Sequence, residues 1–305
     1  MRNFLWPAIA YGLIWAAALA YWVLIAGESY VEPLMALALF GLGFPIVTRV
    51  LTHGVDPFPT TSETSWLEPI ALLFLFAAIC AFGVFGPAFI VESLEATGHS
   101  SDLNNMLAVN AGRLAVFVLL PIIVMVFIIR HPISSFGWQS PFWRMLRPRH
   151  LLLLVGLGAI VIAIQIFGFG RGAFLESDVY SRDQLLIAMP LVFAWLVIQV
   201  GLIENFFFRG MLQSRLAVFL RNEWIAIFLA SLLFAASGVP ALLMGSETTD
   251  WPRIAAEATL MVSVMGITFG YIWMRTRNLL ILMLVHALGD VLLYFEPIAH
   301  TFGLV

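Results

Sequence analysis

The 305 residues are 62% hydrophobic and only 11% charged, with a formal net charge of −3 and a mean hydropathy of +0.99. Soluble domains carry about 25% charged and about 45–50% apolar residues, so a soluble globular class is excluded, and disorder is excluded by the same apolar content. All 15 basic residues are Arg against 18 acidic ones, which gives no ground for nucleic-acid binding, and the single cysteine, Cys80, leaves no intrachain disulfide or cysteine metal site.

Apolar runs of about 20 residues span a bilayer as helices, because a helix satisfies its own backbone hydrogen bonds in lipid. Nine such runs are read, at 4–26, 33–51, 67–91, 106–129, 151–169, 184–208, 224–244, 254–274 and 278–295. The expected fold is therefore an all-α polytopic bundle of eight to nine spans. The first run continues past Ala16-Ala17-Ala18-Leu19-Ala20 into Tyr21-Trp22-Val23, longer than a cleavable signal core, and reads as a retained signal anchor. The second is interrupted by Gly41, Gly43 and Pro45, which suits a kinked or partly re-entrant segment.

Charges between the runs alternate in sign. Arg2, Arg49, Arg130, Arg144, Arg147, Arg149, Arg209, Arg215, Arg221, Arg275 and Arg277 fall on one side, and Arg171, Arg182 and Arg253 on the other among mostly acidic residues. The positive-inside rule then places this multi-pass protein in a cell (inner or plasma) membrane, N-terminus cytoplasmic and C-terminus outside. Three regions follow: N-terminal membrane helices over 1–129, a basic and aromatic connection over 130–150, and a membrane core over 151–305. The connection carries Trp138, Phe142, Trp143, Arg144, Arg147 and Arg149 and reads as an interfacial anchor or a contact for membrane lipids.

An ionisable group inside a span is costly and marks function by default. The candidates are Arg113, Glu204, Glu257, His286 and Asp290. His286 and Asp290 are four apart and share a helix face, whereas Glu204 and Arg209 diverge by roughly 140° on a regular α-helix, so Glu204 needs a partner from another helix. Arg113 could pair with Glu204, Asp290 or Glu257. A carboxylate and an imidazole converging in a low-dielectric cavity can activate water and stabilise an oxyanion, or can bind each other and lock the bundle. Gly168 through Gly172 lacks the Lys-Ser/Thr of a phosphate loop and reads as a turn.

Glu204-Asn205-Phe206-Phe207-Phe208-Arg209-Gly210, then Phe234-Ala235-Ala236-Ser237-Gly238, then His286-Ala287-Leu288-Gly289-Asp290 together resemble the CPBP (Abi) family of CAAX prenyl endopeptidases and bacteriocin-processing proteins. The family pattern is E-E-x-x-x-R, F-x-x-x-H and H-x-x-x-N or D, and the likeness covers about 130–296, including Phe136-Gly137-Trp138. The resemblance implies that Glu204 activates water, that Arg209 is structural and that His286 and Asp290 stabilise the oxyanion. Two positions depart from it: Asn205 replaces the second acid, and Gly238 replaces the imidazole that would help position water. Asp290, if ionised, cannot donate to an oxyanion.

Three functions follow. The first is an intramembrane endopeptidase acting on a membrane-associated, prenylated or bacteriocin-type substrate. The second is a catalytically impaired relative that serves as a binding, scaffold or accessory subunit for a membrane peptide or partner protein. The third, a transporter, is disfavoured because no inverted repeat is visible. Ser237 has no His or Lys in its own run, which argues against serine catalysis. No cofactor is expected; a divalent metal at Glu204, His286 and Asp290 is a thinly supported option.

Overall fold

The computed structural model describes residues 2–58, 65–138, 145–168, 180–245 and 250–305. Among them nine helices are long and apolar enough to cross a membrane: α1 Phe4–Leu24, α2 Val31–Leu51, α3 Glu68–Ala96, α4 Asp102–Ile128, α5 Pro148–Phe167, α6 Arg182–Leu220, α7 Glu223–Pro240, α8 Trp251–Thr276 and α9 Leu279–Thr301. No strand occurs among the described residues. This is a multi-pass, all-helical membrane protein. Residues 169–172 of the glycine-rich turn, and Phe142, Trp143 and Arg144 of the basic connection, lie outside the described residues.

The second run is one continuous helical path. Its Gly41/Gly43 pair falls in a wider π-helical stretch, Leu37–Gly43, and Pro45 sits in the first turn of the α-helix that follows, where a missing N–H costs least. The larger correction concerns α6, which runs 39 residues, well past the expected end at 208. Arg209 and Arg215, counted from the sequence as loop charges, are therefore inside a helix and only 1% exposed. Arg215 is tolerated there because Glu68 of α3 neutralises it at 2.9 Å. His131 and His150, also expected in loops, are buried: His131 bonds Glu68 at 2.7 Å, and His150 accepts through Nδ1 from the Asn278 amide at 2.9 Å.

Burial is graded along the chain. In the most apolar windows of α8 and α9, 67% of residues are inside the protein, against 11–22% for α1 to α4. The outer helices present large apolar side chains such as Phe85, Phe89 and Leu13 outward, as lipid contact requires, and Trp66 and Trp251 stand exposed at helix ends, suited to the membrane interface.

Small residues let the inner helices approach. A Cβ on Gly201 of α6 would lie 2.7 Å from the Met283 carbonyl of α9, and one on Gly210 would lie 2.7 Å from the Phe136 carbonyl. Backbone-to-backbone packing of this kind replaces the hydrophobic drive that lipid cannot supply. Between α8 and α9 the chain turns through Arg277, which takes left-handed φ 47°, and Asn278. Asn278 caps α9 by accepting from the Ile281 N–H and donates to the Met145 carbonyl and to His150, which fixes where α9 starts. His286 then sits eight residues along, about 12 Å into the helix.

Candidate active site

Glu204 and Asn205 lie on a short α-helical step, Ile203–Asn205, between two π-helical stretches, Val197–Leu202 and Phe206–Gln213. A π turn closes its backbone hydrogen bonds between residues five apart rather than four. The angular spacing of Glu204 and Arg209 therefore differs from the 140° of a regular α-helix.

Three helices converge on the carboxylate. Arg113 of α4 donates through Nη2 to Glu204 Oε1 at 2.6 Å, which selects one of the three partners open to it in the sequence. The other carboxylate oxygen, Oε2, faces His286 Nε2 of α9 at 4.0 Å, and Asp290 Oδ2 lies 3.7 Å from the same nitrogen. His286 is also covered by the Phe269 ring, with centroids 4.2 Å apart.

Asn205 sets the state of this imidazole. Its Nδ2 donates to the Gly201 carbonyl at 2.8 Å and meets His286 Nδ1 at 2.9 Å. A carbonyl can only accept, so the amide orientation is fixed, and His286 Nδ1 must be the acceptor. The imidazole is therefore neutral, with its proton on Nε2, pointed into the space between Glu204 and Asp290. The residue that departs from the family pattern is the one that holds the tautomer.

Arg209 is 1% exposed, and its Nε and Nη1 have no hydrogen-bond partner among the described residues. Its guanidinium lies over the Phe234 ring at 5.2 Å, and a Cβ on Gly266 would come within 3.1 Å of its Nη2. Phe234 thus joins the site through Arg209. Ser237 spends its hydroxyl on the Phe234 carbonyl at 2.8 Å. Gly238, one turn beyond Phe234, has nothing within 4 Å of where a Cβ would be, and the Ser237 hydroxyl is turned to its own helix rather than to Glu204. Among the described residues no group of three His, Cys, Asp or Glu side chains could hold a metal ion, and the Arg113 guanidinium on Glu204 opposes a second cation there.

Two buried polar features escaped the sequence reading. Glu68, at the edge of the third run, was not weighed as an in-span acid; its pairing with Arg215 was hidden by placing Arg215 in a loop. Gln165 is the sole amide side chain in the fifth run, so its polarity in an apolar stretch is the signal that marks it.

Residues 185–292 match the family model described as Type II CAAX prenyl endopeptidase Rce1-like. Over this segment the chain is similar to the CPBP family. It runs from α6 to α9 and contains Glu204, Arg209, Phe234, Gly238, His286 and Asp290. No curated protein and no solved structure matches the chain.

Proposed function

We propose that this CPBP-family, protease-like protein hydrolyses a peptide bond of a membrane-associated substrate, of the prenylated or bacteriocin type, with Glu204 as the base. The observation that carries the reading is the pairing, across α6 and α9, of a carboxylate oxygen and an imidazole N–H donor 4.0 Å apart. Oε2 of Glu204 takes a proton from water, and the resulting hydroxide attacks the scissile carbonyl carbon. His286 Nε2–H donates to the oxygen as it becomes an oxyanion. Collapse of the tetrahedral intermediate breaks the C–N bond, and the proton held by Glu204 passes to the leaving amine. Arg113 anchors the other carboxylate oxygen and so aims Oε2 at His286. Asp290 sits on the same N–H and competes for it, which sets this site apart from one with a neutral amide at that position.

Gly238 favours a second reading. With no imidazole at that position the base works alone, and loss of a positioned acid or base costs about 10²–10⁴ in rate. A chain retaining only the cavity would bind a membrane peptide without cutting it.

Purified protein in lipid nanodiscs with a dye–quencher membrane peptide separates the two. Cleavage by the native chain that is lost in Glu204→Ala supports hydrolysis. Peptide retained uncut by both the native chain and Gly238→His supports binding alone. Orientation belongs to the same proposal: the Arg-rich helix ends, N-terminus included, face the cytoplasm and the C-terminus lies outside. A reporter fused after Val305 that is active only in the cytoplasm would contradict it.

A further inference from the structure

A cavity of about 160 Å³ lies between α2, α5, α8 and α9, and Asp290 and Phe269, which both adjoin His286, form part of its wall. Most of the lining is apolar, with Phe40 and Phe44 from α2, Met265 from α8 and Val285 from α9. Three polar side chains interrupt it: Gln165, Thr268 and Asp290.

These three offer acceptors. Thr268 donates its hydroxyl proton to the Phe40 carbonyl. Gln165 is 3% exposed and donates through Nε2 to the Leu288 carbonyl at 2.8 Å, which fixes its amide orientation and leaves Oε1 with no partner among the described residues. Asp290 adds a carboxylate. A buried acceptor without a donor is costly, and natural proteins leave few of them. The occupant that suits this cavity is apolar in bulk and brings an N–H.

Size narrows it further. An engineered apolar cavity of about 150 Å³ accepts benzene, so this space matches one Leu, Met or Phe side chain rather than a long isoprenoid or acyl chain. We propose that the cavity is a side-chain subsite for a membrane peptide: it takes one large apolar side chain, and that residue's backbone N–H donates to Gln165 Oε1. Gln165 lies outside the family-matched segment, so α5 supplies recognition while α6 and α9 supply chemistry. The proposal rests on the reading of His286 and Glu204 as a peptide site and names the residue presented beside the scissile bond.

The fold provides a clean blocking variant. Gly289 lines the cavity, and a Cβ there meets nothing within 4 Å, so Gly289→Leu fills the space, and it replaces a helical glycine by a better helix former. The test measures equilibrium binding to full-length protein in nanodiscs, in a Glu204→Gln background so that binding is read without cleavage. The probes are a dye-labelled apolar heptapeptide with one central Phe and the same peptide with N-methyl-Phe. The N–H peptide should bind about tenfold more tightly than the N-methyl peptide, and the ratio should fall toward one in Gln165→Met. Gly289→Leu should weaken both peptides at least tenfold without lowering the thermal midpoint. Absence of binding by the unblocked protein, an unchanged ratio in Gln165→Met, or unchanged binding in Gly289→Leu each overturns the subsite. If binding behaves as described but protein with Glu204 intact cuts neither peptide, hydrolysis fails and the subsite stands. If cleavage occurs and Gly289→Leu leaves it untouched, the subsite fails and hydrolysis stands.

Discussion

Two glutamates inside the bundle, Glu68 buried and Glu204 half-buried, each face an Arg and a His and are treated very differently. Around Glu68 every contact is closed: Oε1 accepts from His131 Nε2 at 2.7 Å, from the Ser65 N–H at 2.7 Å and from Arg215 Nη2 at 3.1 Å, while Oε2 accepts from Arg215 Nε at 2.9 Å. Around Glu204 one oxygen is held by Arg113 at 2.6 Å, the other stands 4.0 Å from His286, and Arg209 beside it leaves two N–H groups unpartnered among the described residues. The same residue types make a bolt in one place and an open site in the other. A closed network stabilises and has no group left for a substrate; a partly open one costs stability and keeps hydrogen-bonding capacity in reserve.

Breaking the bolt should give the largest effect on stability. Glu68→Ala removes the carboxylate that buried Arg215 and His131 share, and removal of one partner from a buried ion pair costs about 3–5 kcal/mol. Denaturant or thermal unfolding in detergent reads this directly; a loss under about 1 kcal/mol would put Glu68 in the same class as Glu204. Next, the open site should respond to completion. Gly238→His has room for its Cβ and should raise turnover by about 10², the lower end of what a positioned acid or base contributes, with little change in unfolding; no gain would mean that an imidazole there does not reach the Glu204 site. The smallest effect belongs to Asn205→Leu, which strips His286 Nδ1 of its donor. It should cost about 1–3 kcal/mol of stability and also lower turnover, because the Nε2–H tautomer is no longer enforced. Loss of stability with turnover intact would reduce Asn205 to a packing residue.

Much of the fold was legible because hydropathy and helix length are tightly coupled in lipid: all nine expected runs correspond to helices, eight of them with limits a few residues apart. The extension of α6 was not, since Arg209 and Arg215 end an apolar run by composition, and only a partner distant in sequence, Glu68, reveals that the helix continues. At the site, Glu204, His286 and Asp290 could be picked out because charge inside a span is rare. The partnership of Asn205 with His286 could not, for it crosses between helices and depends on the close approach at Gly201. The need of Glu204 for a partner from another helix was legible and is met by Arg113; the π-helical turns beside it were not, because the sequence pattern does not announce them.

The most direct measurement compares turnover of a membrane peptide by Glu204→Gln and Glu68→Gln with that of the native chain, each normalised to folded protein. Gln keeps the shape and removes the base in the first case, and weakens the ion pairs in the second. The account predicts that Glu204→Gln loses at least about 10² in rate while its thermal midpoint stays near native, and that Glu68→Gln lowers the midpoint while its remaining folded fraction turns over substrate at the native rate. Native turnover by Glu204→Gln would contradict the assignment of Glu204 as the base.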